Sequence, residues 1–255
     1  MIKKILISQP APESAARNPY AELIRQHDLE AVFHPFIKVE PVSEREFRDQ
    51  KVKILDHTAI VLSSRHAIDH FFGTCKKMRV KVPEEMRYYG ISEKVTLYIQ
   101  KYVQYRKRRV FFSPTGKWEG LVPIMAKHKS EKFLIPEGNA HNSELTGLMA
   151  AQGLHFTECT MFRTVANDLK DGTTLSDFDA IVLFTPSGVR SLVENFPTWE
   201  QKDTRLICFG DTTCKAIEST SLRLDYSPDK AKVPGIAAAL DAYITACNSA
   251  EAPQP

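Results

Sequence analysis

Short apolar runs alternate with segments of helical periodicity along almost the whole chain. Extended segments are predicted at 4–8, 31–39, 58–63, 87–91, 108–113, 132–136, 155–165, 179–185, 205–210 and 222–226. Helical patterns fall at 20–26, 67–76, 93–102, 120–128, 144–152, 189–195, 212–220 and 235–247. Short apolar strands that alternate with helices predict parallel sheets covered on both faces, an α/β fold.

The pattern repeats. Ala59-Ile60-Val61-Leu62-Ser63-Ser64-Arg65-His66-Ala67 returns as Ala180-Ile181-Val182-Leu183-Phe184-Thr185-Pro186-Ser187-Gly188. Each copy reads as a buried strand that enters a helix through hydroxyl residues at the N-cap. Helix N-termini carry unpaired N–H groups and a partial positive charge, so such turns attract anions. Plain capping is the better explanation of one such turn; with two copies, a ligand with several negative charges explains them as well as capping does. A second pair matches Arg87-Tyr88-Tyr89-Gly90-Ile91-Ser92-Glu93-Lys94 with Arg205-Leu206-Ile207-Cys208-Phe209-Gly210-Asp211-Thr212-Thr213. In these turns Asp211 would repel an anion unless it serves as the cap. A third pair matches 132–138 with 4–10.

The order of the copies predicts two similar lobes, each a parallel sheet flanked by helices. The middle of the chain carries one set of strands consecutively. The other set starts near Asp179, runs to the C-terminus and is completed by the N-terminal segment. One lobe is therefore discontinuous (1–36 plus 168–255), and the other is inserted into it (37–167). Extended stretches near 36–41 and 162–167 then cross between lobes as a two-stranded linker with a cleft beside it. Ligands of open α/β sheets bind at the carboxyl ends of strands, where the Ser/Thr/Gly turns lie.

At 255 residues the chain is long enough for two cores. Its net charge of +3 permits an anionic ligand but is far below a nucleic-acid footprint. Five cysteines stand at 75, 159, 208, 214 and 247, without CxxC or metal-ligand spacing; they read as reduced, mostly buried thiols. The first apolar run is too short for a signal peptide, and no stretch approaches the ~18 apolar residues of a membrane span, so a cytoplasmic protein is expected. The small, polar segment 248–255 is read as disordered.

Catalytic fingerprints are scarce. There is no HExxH and no Gly-x-Ser-x-Gly, and no metal site or cofactor motif is evident. Among the histidines, His66 stands out for its place in the first anion turn. Ser113-Pro114-Thr115-Gly116-Lys117-Trp118 lacks the spacing of a P-loop and has Trp118 where a hydroxyl should hold magnesium. Tyr102–Arg109 mixes aromatics with bases, which fits either a nucleic-acid surface or a basic helix end; the helix end is preferred. Catalysis should then come from positioning and electrostatics.

The order and spacing of several short motifs resemble uroporphyrinogen-III synthases over nearly the whole chain. They are Leu6-Ile7-Ser8-Gln9-Pro10, Ile60–Ala67, Phe133-Leu134-Ile135-Pro136-Glu137-Gly138, Met161-Phe162-Arg163-Thr164-Val165, Phe184–Val189 and Gly210-Asp211-Thr212-Thr213-Cys214-Lys215-Ala216. The resemblance implies a cofactor-free, monomeric hydro-lyase of tetrapyrrole (haem) biosynthesis, with two lobes and a two-stranded linker. Its substrate would be the linear tetrapyrrole hydroxymethylbilane, with eight carboxylates. Its product would be uroporphyrinogen III, with ring D inverted. The expected partners include no nucleic acid and no membrane.

The departures from the family pattern matter. Ser8-Gln9-Pro10 lacks an arginine common there, and the turn at Gly210 is Gly-Asp-Thr-Thr-Cys. Phe162 stands where the family commonly has a tyrosine, the favoured candidate to assist loss of the substrate hydroxyl, and a phenyl ring cannot donate a hydrogen bond. Thr212 or Thr213 is expected to take that part. Ser63, Ser64, Arg65, His66, Ser92, Glu93, Lys94, Gly138, Thr185, Pro186, Ser187, Gly188 and Gly210 are expected to bind substrate. The alternative is a non-catalytic bilobed binding protein for a polyanionic metabolite.

Overall fold

In sequence order the strands are β1 (Lys4–Ile7), β2 (Glu30–Phe33), β3 (Ile37–Pro41), β4 (Ala59–Leu62), β5 (Arg87–Gly90), β6 (Val110–Phe112), β7 (Lys132–Gly138), β8 (His155–Ala166), β9 (Ala180–Leu183) and β10 (Arg205–Cys208). The α-helices are α1 (Ala21–His27), α2 (Glu44–Asp49), α3 (Arg65–Lys77), α4 (Glu93–Thr96), α5 (Trp118–Ala126), α6 (Ser143–Ala151), α7 (Pro186–Asn195), α8 (Asp211–Glu218) and α9 (Ile236–Ala250). This computed structural model describes residues 1–139, 143–170, 173–228 and 235–250. The chain divides into two compact units, Met1–Lys38 with Val165–Pro255, and Val39–Thr164. Their boundaries fall inside β3 and β8, which are neighbours in one sheet.

The two sheets follow one plan in permuted order. One runs β10-β9-β1-β2, and the other runs β3-β8-β7-β4-β5-β6. The repeated Ala-Ile-Val-Leu strands, β9 and β4, hold equivalent interior places, and both are buried at every residue. β9 lies between β10 and β1, all parallel; β4 lies between β5 and β7, also parallel. Alternation along β4 sends Ala59 and Val61 to the face covered by α5 and α6, and Ile60 and Leu62 to the face packed with Phe71 of α3. β9 does the same, with α9 residues behind Ala180 and Val182, and α7 and α8 residues behind Ile181 and Leu183. Two-sided burial is what makes these strands continuous apolar runs.

Several elements differ from the sequence expectations. The extended stretch 31–39 breaks into β2 and β3 around His34-Pro35-Phe36, where Pro35 has no N–H for a ladder. The stretch 222–226 forms only an isolated parallel bridge from Ile207 to Tyr226. The Asp225 carboxylate there accepts the Leu206 N–H at 2.9 Å, a side chain replacing part of a ladder. The predicted helix 93–102 is a single α turn followed by a 3₁₀ segment, Leu97–Lys101. Helix α2, absent from the sequence reading, starts with a capping box between Ser43 and Glu46.

The thiol expectation also needs correction. Cys208 and Cys214 are joined in a disulfide, whereas Cys75, Cys159 and Cys247 are free. β10 ends at one sulfur and the first turn of α8 carries the other, a proximity invisible in a pattern without CxxC. Asn248–Ala250, read as tail, belong to α9, and the Asn248 carboxamide oxygen accepts the Ile2 N–H at 2.7 Å. Residues 251–255 lie outside the described residues. Among the described residues no helix is long and apolar enough to cross a membrane.

Candidate active site

Three of the strand-to-helix turns, at Ser64, Ser92 and Thr185, are capped by their own side chains. At the end of β4, Ser64 caps α3, and its hydroxyl accepts the Ala67 N–H at 3.1 Å. One of the helix's unpaired donors is thereby satisfied, and others stay open to a ligand. Ser63 and Ser64 are half-buried, whereas Arg65 and His66 are exposed. The Arg65 guanidinium lies 5.2 Å from the ring centre of Tyr98. In the other unit Thr185 caps α7 from the end of β9, accepting the Gly188 N–H at 3.0 Å, and Pro186 occupies the first turn, where a missing N–H costs nothing. The Ser187 hydroxyl accepts from Arg190 at 2.9 Å, and Gly188 is buried.

The second pair of turns is less alike than the sequence suggests. Ser92 caps α4 through the Val95 N–H at 3.3 Å, and the Thr96 hydroxyl donates to the Ser92 carbonyl at 2.6 Å. Because α4 is one turn long, little peptide dipole backs Glu93 and Lys94. Gly210 precedes α8 with φ at +95°, in the left-handed region that favours glycine, and makes no side-chain cap. Thr212 is exposed, but Thr213 is 1% exposed, so the structure separates the two hydroxyls the sequence pairs. The Cys208–Cys214 disulfide encloses this turn.

The carboxyl ends of β4, β7 and β8 surround a small hollow of about 210 Å³. Its walls include Ser63, Trp118, Ile135, Glu137, Gly138 and Phe162. Three sequence-predicted residues thus meet here: Ser63, Gly138 and Phe162. The register of β7 against β8 shifts between Glu137 and Gly138, which sets Gly138 opposite Phe162. The Phe162 ring lies so close that a Cβ on residue 138 would be 2.7 Å from Cε2. The same ring stacks on His70 of α3, with centroids 4.9 Å apart and planes 24° from parallel. Burial holds the His70 imidazole below its usual pKa, helped by the nearby His66 charge and opposed by Asp69.

Glu137 and Trp118 were not singled out from sequence. Glu137 is 5% exposed, the one acidic side chain among the described buried residues. A carboxylate closing an otherwise apolar strand, Phe133-Leu134-Ile135-Pro136-Glu137, is the signal that could have marked it. Trp118 is 5% exposed at the start of α5. On α3, Asp69 accepts hydrogen bonds from Tyr98, Lys101 and Tyr102. Burial opposes its ionisation, yet these donors outweigh burial and hold the carboxyl below the usual range.

Larger hollows, about 500 and 550 Å³, lie near the amino ends of strands, one by Asp179 and Arg205 and one by Lys132 and His155. Binding in open α/β sheets takes place at carboxyl ends, so the smaller hollow with its convergent polar groups is the better candidate. Among the described residues no group of three or more His, Cys, Asp or Glu side chains gathers to hold a metal.

Comparison with known proteins agrees with this architecture. The family profile described as uroporphyrinogen-III synthase HemD matches residues 18–238. No curated protein matches the chain in sequence. Among solved structures, the uroporphyrinogen-III synthetase of Helicobacter pylori is similar with a TM-score of 0.57 at 13% identity, over 96% of this chain and 100% of that one. A mutant uroporphyrinogen III synthase of Thermus thermophilus gives a TM-score of 0.52 at 11% identity, over 97% and 99%. At such identities the likeness is one of fold; the profile, which spans most of the chain, carries the family. The chain belongs to the uroporphyrinogen-III synthase family and is an enzyme of haem biosynthesis.

Proposed function

We propose that this chain is a hydro-lyase that cyclises hydroxymethylbilane to uroporphyrinogen III with inversion of ring D. The match of the family profile to residues 18–238 carries this reading. The substrate has eight carboxylates, and the structure offers capped helix N-termini at Ser63–His66 and Thr185–Gly188 for such groups. Gly210 and Thr212 add an open turn in the first unit; Ser92, Glu93 and Lys94 add a weaker one in the second.

In the reaction the terminal hydroxyl leaves as water and a cation forms on the bilane. Ring D attacks through its substituted carbon, a spiro intermediate fragments, and the ring recloses inverted. Spontaneous closure gives the non-inverted isomer, so the task is geometric selection, in which bound carboxylates fix the pose. The hydroxyl of Thr212 is available to hydrogen-bond a substrate oxygen. Trp118 and Phe162 give the hollow apolar walls that exclude water from the cation. No resident cofactor enters this scheme.

A monomer in the cytoplasm completes the reading. The free thiols Cys75, Cys159 and Cys247 fit a reducing compartment. There the Cys208–Cys214 disulfide would be open to reduction. The test is to supply hydroxymethylbilane and identify the macrocycle. Uroporphyrinogen III formed faster than spontaneous closure is expected; only the non-inverted isomer at the spontaneous rate overturns the assignment.

A further inference from the structure

We infer that Glu137 is the general acid that protonates the leaving hydroxyl of the substrate, an inference that rests on the synthase reading above. Departure of that hydroxyl needs a proton, because hydroxide is a poor leaving group. Phe162, in the wall of the hollow, has none to give. The other polar side chains among the described lining residues, Ser63, Trp118, Asn139 and Thr164, carry alcohol, indole or amide protons, which are very weakly acidic. Among the described lining residues Glu137 carries the one carboxyl, the group of this wall with the most acidic proton.

Its placement suits the task. Glu137 ends the same alternating face of β7 as Phe133 and Ile135, which are packed with residues of α5 and α6. It lines the hollow and is 5% exposed, so bulk water hardly reaches it. At about 210 Å³ the hollow is smaller than the ~300–1,000 Å³ usual for whole drug-sized ligands, so it admits one end of a tetrapyrrole. The Phe162 ring, pressed on Gly138 and stacked on His70, supplies a flat apolar wall beside it.

The step balances. The carbon–oxygen bond of the hydroxymethyl group breaks and its electron pair stays on oxygen. That oxygen takes the Glu137 proton and departs as water. The cation left on the bilane is conjugated with its pyrrole nitrogen and faces the newly formed Glu137 carboxylate, a favourable pairing in a water-poor site. The substituted ring D carbon that attacks first has no hydrogen to lose; when the ring recloses, the unsubstituted carbon of ring D forms the new bond and loses its proton as aromaticity returns. That proton restores the Glu137 acid, and no oxidant or second substrate is required.

The experiment compares the native chain with Glu137→Gln, which keeps size and hydrogen-bonding capacity but has no acidic proton. Isomer, kcat and KM are measured from pH 5 to 9, with urea unfolding as the check on folding. A general acid contributes ~10²–10⁴-fold, so kcat should fall at least ~100-fold with KM within a few-fold. The limb of the native kcat profile that falls as pH rises should vanish. Adding Phe162→Tyr to the Gln variant should restore part of the rate by bringing a phenolic donor to the same hollow. Independently of any variant, ¹³C-labelled glutamate reports whether the Glu137 carboxyl holds a proton in the working pH range. A folded Gln variant within about threefold of native kcat overturns the inference, as does a Glu137 carboxyl ionised throughout that range. A native chain without synthase activity defeats instead the function on which the inference rests.

Discussion

Gly138→Ala tests the geometry of the hollow most directly. The new Cβ would lie 2.7 Å from Cε2 of Phe162, 3.2 Å from Cζ and 3.3 Å from Cδ2. Carbon atoms in good contact are ~3.5–4.0 Å apart, so the ring must retreat by nearly 1 Å. Its retreat disturbs the stack on His70. Overpacking of this kind costs ~1–3 kcal/mol, and loss of an aromatic stack ~0.5–1.5 kcal/mol. Gly138 is not among the positive-φ glycines, so alanine fits the backbone and removes freedom from the unfolded chain, a gain of ~0.4–1 kcal/mol. The expected net effect is a loss of about 2 kcal/mol. In a Phe162→Ala background the clashing atoms are gone and the sign reverses, with Gly138→Ala neutral or stabilising. Urea unfolding of the four chains, followed by Trp118 fluorescence with Trp199 replaced by Phe, reads the unit that holds the hollow. Effects that add within ~0.5 kcal/mol would refute the contact.

Other parts of the structure make separate predictions. The Cys208–Cys214 bond closes a loop with a sequence separation of 6, which in the chain-entropy treatment stabilises by about 2 kcal/mol. Reductant, or the double Cys→Ser variant, should lower unfolding free energy by that order; equal stability in oxidised and reduced samples contradicts it. Ser64→Ala removes the cap of α3 and should cost ~1 kcal/mol, while Ser64→Gly should cost only a few tenths. The Arg163 hydrogen bond, followed by those from Ser43, holds the exposed Glu46 carboxyl at about 2 instead of its ordinary 4.5. Its folded pKa lies below the unfolded one, so its stabilising contribution is present above pH 4.5 and fades as pH falls toward 2. In NMR titration, Arg163→Gln should move the Glu46 midpoint up toward 4.5, and an unmoved midpoint would disprove the pairing.

The chain's hydrophobic order alone determined the α/β class, the duplicated Ala-Ile-Val-Leu strands and the capped turns after them. These are local matters: a strand buried on both faces must be continuously apolar, and a helix start must satisfy its own N–H groups. Resemblance in motif order supplied the family. Tertiary structure decided what depends on partners distant in sequence. Pro35 split one predicted strand, and Asp225 took over backbone bonding where another was expected. Cys208 and Cys214 met because a strand end and a helix start turned back on each other. Above all, Glu137, Trp118 and Phe162 come from three separate segments, and only pairing of β7 with β8 and packing of α5 on the sheet bring them around one hollow. Periodicity reports which face a residue occupies; it does not report which other faces will be folded against it.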